Sequence, residues 1–123
     1  MEYTIKDVAV KFNLAPHTLR YYEQEGLLPP VRRLENGRRV YSETDLLRIE
    51  MLCCMRATGM SVEAIKQYNA LNHRGEDTLP ERRQIIASQK AIVETHIQEY
   101  QAFLELLNKK LQYYDSLISE KRQ

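Results

Sequence analysis

Beyond Pro80 the chain carries neither Gly nor Pro as far as Ser119, and its apolar residues recur at steps of three and four. Ile86, Val93, Tyr100, Leu107 and Tyr114 stand seven apart, and Lys90, Ile97, Leu104, Leu111 and Ile118 follow them by four. Only Lys90 interrupts this seam. A heptad sustained this long specifies a coiled coil. At about 1.5 Å per residue, the helix is a rod of roughly 60 Å. A lone helix of this length cannot bury its own stripe, so the spacing predicts a homodimer held by the apolar seam positions. Ile85, Ile92, Phe103, Leu106, Tyr113 and Leu117 widen the stripe beyond what a two-helix seam needs. That extra face is expected to pack on another element.

The region before the rod has a different grain. Ile5, Val8, Ala9 and Phe12 have helical spacing, and Thr4 with Asp7 reads as a capping box. This helix should stop near Asn13, a residue at home in turn conformations. A second helix follows in "PHTLRYYEQEG", with Pro16 in its first turn, Leu19 and Tyr22 facing inward, and Gly26 at its end. Two helices joined by so short a turn make a helix-turn-helix. In "VRRLENGRRVY", Asn36-Gly37 signals a hairpin with a type I′ turn, positive φ being required at both positions. The hairpin is a basic wing, with Arg32, Arg33, Arg38 and Arg39 against the single acid Glu35. Alternation alone does not say which arginines face outward, because a one-residue shift of register swaps the faces.

Ser42 and Asp45 start a third helix running to about Thr58, apolar around much of its circumference and therefore expected to be buried. Ser61 caps a fourth, and Thr78 with Glu81 reads as the capping box of the rod. The expected organisation is a mainly α fold: a winged helix-turn-helix head of four helices and a small β-hairpin over residues 1–72, a linker 73–78, a dimerisation helix 79–119 forming a coiled coil, and a tail 120–123.

Net charge is +1 and the sequence pI 7.8, below the value of about 9 typical of nucleic-acid-binding domains. The clustering of arginines in the wing matters more than the sum, since a local basic patch binds phosphate while acids elsewhere cancel the total. No membrane span or secretory segment is apparent, and a cytoplasmic, nucleoid-associated location is expected. No acid–base or nucleophilic constellation suggests an enzyme. A recognition helix presents its N-terminal residues to base edges in the major groove, which makes Thr18, Arg20 and Tyr21 candidates.

The residues "TLRYYEQEGLL", followed by "GRRVYSETDL" and "RATGMSVEAI", resemble the mercury-resistance-regulator (MerR) family of bacterial transcription regulators, and the likeness extends over the whole chain. The resemblance implies DNA contacts from Arg20, Tyr21 and Tyr22, from Arg39 in the wing, and from Arg56 in a second wing; Arg38, beside Arg39 at the hairpin, is a further DNA-binding candidate. It also implies a dimer joined by an antiparallel coiled coil that bends and untwists double-stranded promoter DNA, with RNA polymerase engaged indirectly at the promoter. One departure is Ala15, where the family usually has a capping Ser or Thr. The 123 residues are expected to hold no separate ligand domain.

Cys53 and Cys54 are the only cysteines. An intramolecular bridge between them is disfavoured, because adjacent Cα atoms lie about 3.8 Å apart and ordinary disulfides need about 4.4 Å or more. Neither a metal site nor a cofactor is expected. "CMRATGMSVEAI" resembles the aldehyde- and thiol-stress-responsive subgroup of the family, which implies that Cys54 is a sensor thiol for a small electrophile. The alternative for Cys54, and the favoured reading for Cys53, is a small apolar filler. Two other functions stay open: a regulator with a noncovalent effector bound between head and rod, among Tyr100, Phe103 and Tyr113, and a coiled-coil interaction protein.

Overall fold

The structure, a computed structural model, describes residues 1–122; Gln123, the last residue of the expected tail, lies outside the described residues. The elements run β1 Tyr3–Thr4, α1 Ile5–Phe12, α2 Pro16–Gln24, β2 Arg32–Arg33, β3 Arg39–Tyr41, α3 Glu43–Ala57, α4 Val62–Arg74, a single 3₁₀ turn Glu76–Thr78, and α5 Leu79–Arg122. The chain divides into two compact units, Met1–Ile86 and the remainder from Ala87.

In the first unit local chemistry sets the helix ends. Thr4 and Asp7 close a reciprocal capping box on α1, and Asn13 terminates that helix in the left-handed region at φ 54°. Ser42 and Asp45 form the same box on α3, and the Ser61 hydroxyl accepts the Ala64 N–H at the start of α4. The helix α2 starts at Ala15 with no side-chain cap and with Pro16 in its first turn. After α2 the Leu27 and Leu28 N–H groups both return to the Tyr22 carbonyl, which turns these two leucines into the core.

The hairpin differs from its expected form. Gly37 has φ +83°, but Asn36 is not in the positive-φ region, so the turn is not type I′. Gly37 N–H donates to Leu34 O at 2.9 Å and Leu34 N–H to Arg38 O at 2.8 Å, a three-residue loop with glycine at the left-handed position. The Asn36 side chain accepts the Arg38 N–H at 3.0 Å, so this residue supports the turn through its amide rather than through its own backbone. A further strand also joins the hairpin: β1 pairs antiparallel with β3, giving a three-stranded sheet of order β1-β3-β2.

The core gathers Val8 and Ala9 of α1, Leu19 of α2, Tyr41 of β3, and Ile65 of α4 around α3. From α3 come Leu46, Ile49, Leu52 and Met55, at the three-residue steps of one face. Burial all round α3 is not observed: Leu47 is 67% and Met51 42% exposed. The 3₁₀ turn and the first turns of α5 are tied to α4. Fully buried Thr78 presents its hydroxyl to Leu71 O at 2.7 Å and Gly75 O at 2.8 Å, and accepts Arg82 Nε at 3.0 Å. Arg82 also donates to Asn72 Oδ1 at 2.7 Å and Gly75 O at 3.0 Å. The expected capping role of Thr78 toward Glu81 gives way to this network. Elsewhere on α4, Asn69 Nδ2 donates to Gly26 O at 2.9 Å, and Lys66 pairs with Glu25 at 3.7 Å.

The helix α5 has 44 residues, about 66 Å at the α-helical rise. None of its residues is buried in the single chain.

Candidate nucleic-acid interface

The recognition helix α2 buries Leu19 completely and packs Tyr22 against the core. This fixes the rotation of the helix, so His17, Arg20, Tyr21 and Gln24, at three- and four-residue steps, form its exposed stripe. Of the sequence-predicted contacts, Arg20 and Tyr21 therefore face solvent, Thr18 is half-buried at the edge, and the ring of Tyr22 is committed to packing. The Tyr21 and Tyr22 rings lie 6.0 Å apart and tilted by 54°. His17 and Gln24 share the stripe without having been singled out from sequence.

The wing borders the same surface. An open groove of about 720 Å³ is lined by Arg20 of α2, by Asn36, Gly37, Arg38 and Arg39 of the hairpin, and by Lys6 of α1. Arg38 is exposed at the hairpin tip, while Arg32 forms an exposed ion pair with Glu2. Arg39 is held differently: its Nε donates to Glu23 Oε1 at 2.7 Å, with side-chain exposures of 18% and 12%. Burial pushes the nearby Tyr41 hydroxyl above its ordinary pKa, with Arg39 and Arg20 opposing the rise and Glu23 adding to it. Three arginines, Arg20, Arg38 and Arg39, thus line one groove, and Arg39 is anchored beside it by Glu23.

Arg56 lies exposed near the end of α3. On the same helix Cys53 is half-buried against the core and Cys54 is exposed. Burial raises the Cys53 thiol pKa, which favours the unreactive thiol over the thiolate. Thr58 Oγ1 donates to Cys54 O at 2.8 Å, tying the backbone at this cysteine to the last turn of the helix. Among the described residues no cluster of His, Cys, Asp and Glu is placed to hold a metal ion, and no helix is long and apolar enough to cross a membrane.

Residues 3–70 match the family model described as MerR HTH family regulatory protein. The chain belongs to the MerR family. A second model, MerR, DNA binding, matches residues 46–110 of this MerR protein. It is 39% identical over 114 residues to an uncharacterized HTH-type transcriptional regulator of Haemophilus influenzae, covering 93% of this chain and 84% of the relative. It is 44% identical over 86 residues to the HTH-type transcriptional regulator AdhR of Bacillus subtilis, covering 70% of this chain and 61% of that protein. Among solved structures it resembles HiNmlR, a MerR family regulator lacking the sensor domain and bound to promoter DNA, with TM-score 0.85, 38% identity and coverage of 94% and 92% of the two chains. A MerR family transcriptional regulator from Listeria monocytogenes aligns with TM-score 0.83 and 36% identity over 92% of this chain and 86% of that one. This MerR protein is a DNA-binding transcription regulator and not an enzyme.

Along α5 the heptad residues divide. Ile86 packs with Ile85 against the core of the first unit and Val93 is half-buried. Ile97, Tyr100, Leu104, Leu107, Leu111, Tyr114 and Ile118 are all at least half exposed in the single chain, Leu107 to 66%. Tyr100 and Phe103 meet edge to face at 5.9 Å, whereas Tyr113 lies under Lys110 with Tyr114. Phe103 and Tyr113 are separated by ten residues, about 15 Å along a helix, so these three aromatic residues do not converge within one chain of the MerR protein.

Proposed function

We propose that this protein is a dimeric, sequence-specific regulator that bends and untwists promoter DNA, and that it responds to reactive aldehydes or thiol stress through Cys54. The observation that supports DNA reading most directly is the continuity of the exposed Arg20–Tyr21 stripe with the arginine-lined groove of the wing. In this reading Arg20, with Thr18 and Tyr21, meets base edges or the flanking phosphates. Tyr22 braces Tyr21 from the core side. Arg38, Arg39 and Arg56 take the backbone, and these phosphate contacts supply the work of deforming the duplex. The exposed seam from Ile97 to Ile118 fits antiparallel pairing with a second copy, which would set the spacing of two heads on a palindromic site. Polymerase is engaged through the reshaped promoter, and the protein works in the cytoplasm at the nucleoid.

For Cys54 the support is its exposure beside a Cys53 that burial holds in the thiol form. A thiolate adds to an aldehyde carbonyl carbon, and the carbonyl oxygen takes up a proton; only an accessible thiol does this at a useful rate. The test has two arms. Arg20→Ala should weaken binding to a duplex selected by the wild-type protein by about 1–3 kcal/mol and relax the preference at one position; unchanged binding refutes the base-reading role. Cys54→Ser should abolish induction of the cognate promoter by formaldehyde or methylglyoxal, and full induction in that variant refutes the sensor reading while leaving the regulator intact.

A further inference from the structure

The DNA-facing surface contains one internal acid whose role the proposed reading leaves unassigned. Glu23 lies on α2 three residues after Arg20, with its side chain only 12% exposed. Its Oε1 accepts Arg39 Nε at 2.7 Å, and its Oε2 accepts the Val31 N–H at 3.4 Å. One carboxylate on the recognition helix therefore holds both roots of the wing, the residue entering β2 and the first residue of β3. An acid here works against a polyanion: it repels the phosphates that Arg20 and Arg39 attract. A largely buried ion pair also adds little net stability, because the desolvation of both charges offsets their attraction, and its best-attested use is to fix register and geometry. Arg39 spends only Nε on the pair, and among the described residues its terminal nitrogens have no protein partner, at a groove shared with Arg20 and Arg38.

We propose that Glu23 is a positioning residue of the DNA interface: it locks the wing to the recognition helix and cancels the charge of Arg39, so that Arg39 engages a phosphate only in the orientation that the correct duplex presents. The inference rests on the DNA-reading function proposed above. It assigns Glu23 to discrimination rather than to affinity. Glu23 suppresses binding to arbitrary sequences and supports binding to the right one.

The experiment compares the protein with Glu23→Gln and with the double variant Glu23→Gln/Arg39→Gln. The probes are a duplex selected by the wild-type protein from a randomised library and a duplex of scrambled sequence, each titrated over a range of salt. Glu23→Gln should bind the selected duplex about tenfold more weakly, the scale of one lost specific interaction. It should bind the scrambled duplex as well as or better than wild type, with a salt slope steeper by about 0.9 for the one phosphate that the uncancelled Arg39 now neutralises. The double variant should return the scrambled duplex and the slope to wild-type values without restoring the selected one. An unchanged ratio between the two duplexes overturns the proposal. A parallel loss on both, accompanied by a lower urea midpoint, also overturns it, because that is the signature of a merely structural ion pair. A wild-type protein that selects no duplex at all overturns both this role and the reading beneath it.

Discussion

Thr78→Val removes a hydroxyl and keeps the shape of a side chain that is completely buried. The hydroxyl has a single proton shared between two carbonyls, at 2.7 Å and 2.8 Å, so it counts as one donated bond worth about 1 kcal/mol net. It also accepts from the charged guanidinium of Arg82 at 3.0 Å. Bonds to charged groups contribute about 1.5–3 kcal/mol, and the low end applies because Arg82 keeps Asn72 and Gly75 as partners. The added methyl of valine recovers a fraction of the loss through apolar burial. The expected net cost is about 2 kcal/mol. With a urea m-value of about 2 kcal/mol/M, the unfolding midpoint falls by about 1 M. The comparison is made at one protein concentration, since self-association adds a mass-action term. Thr78→Ser, which keeps the hydroxyl and loses one methyl, should cost only about 0.8 kcal/mol. A Thr78→Val midpoint within experimental error of wild type, or a Thr78→Ser loss as large as that of Thr78→Val, refutes the hydrogen-bond account of this junction.

Three other perturbations follow from the geometry. Alkylation with iodoacetamide at neutral pH should modify Cys54 faster than Cys53, because burial raises the Cys53 pKa and its thiolate appears only at higher pH; equal rates in Cys53→Ser and Cys54→Ser contradict this. Replacing Leu104 and Leu107 by Lys removes four seam side chains per dimer, each worth about 1.5–3 kcal/mol when buried. Self-association should then weaken by about four orders of magnitude or more, read by sedimentation equilibrium, and an intact dimer rules out this seam. Gly37→Ala meets no atom within 4 Å but must hold φ +83°, a backbone cost of about 1–2 kcal/mol that Gly37→Asn should largely escape; thermal unfolding of the two variants should separate them, and equal destabilisation argues against the strain.

Much of this fold is written locally. The boxes at Thr4–Asp7 and Ser42–Asp45 were legible because a cap and its partner lie three residues apart, and the left-handed stop at Asn13 for a similar reason. The family itself was legible from "TLRYYEQEGLL" and "GRRVYSETDL". What escaped depends on residues far apart in sequence. Two-residue β1 has no periodicity to detect and exists only because β3 is beside it. The Asn36-Gly37 dipeptide points to a type I′ turn, but Asn36 satisfies a neighbouring N–H with its side chain, an option that dipeptide preference does not rank. Thr78 looked like a cap, but the chain folds Arg82 and Leu71 onto its hydroxyl. The apolar circumference of α3 predicted full burial, while the single chain leaves Leu47 and Met51 outside. Glu23 gave no signal at all, because an acid in an exposed-looking helix acquires meaning only when Arg39 arrives from the wing sixteen residues later.

On α4, Asn69 holds the carbonyl of Gly26 just past the recognition helix, and Asn72 holds Arg82 in the second turn of α5. The two asparagines are three residues apart, about 4.5 Å along the helix axis. A single turn of α4 therefore acts as the bearing on which the reading element and the root of the rod are both mounted. The contacts that fix the chain just after the recognition helix and the first residues of α5 thus both spring from that one turn of α4.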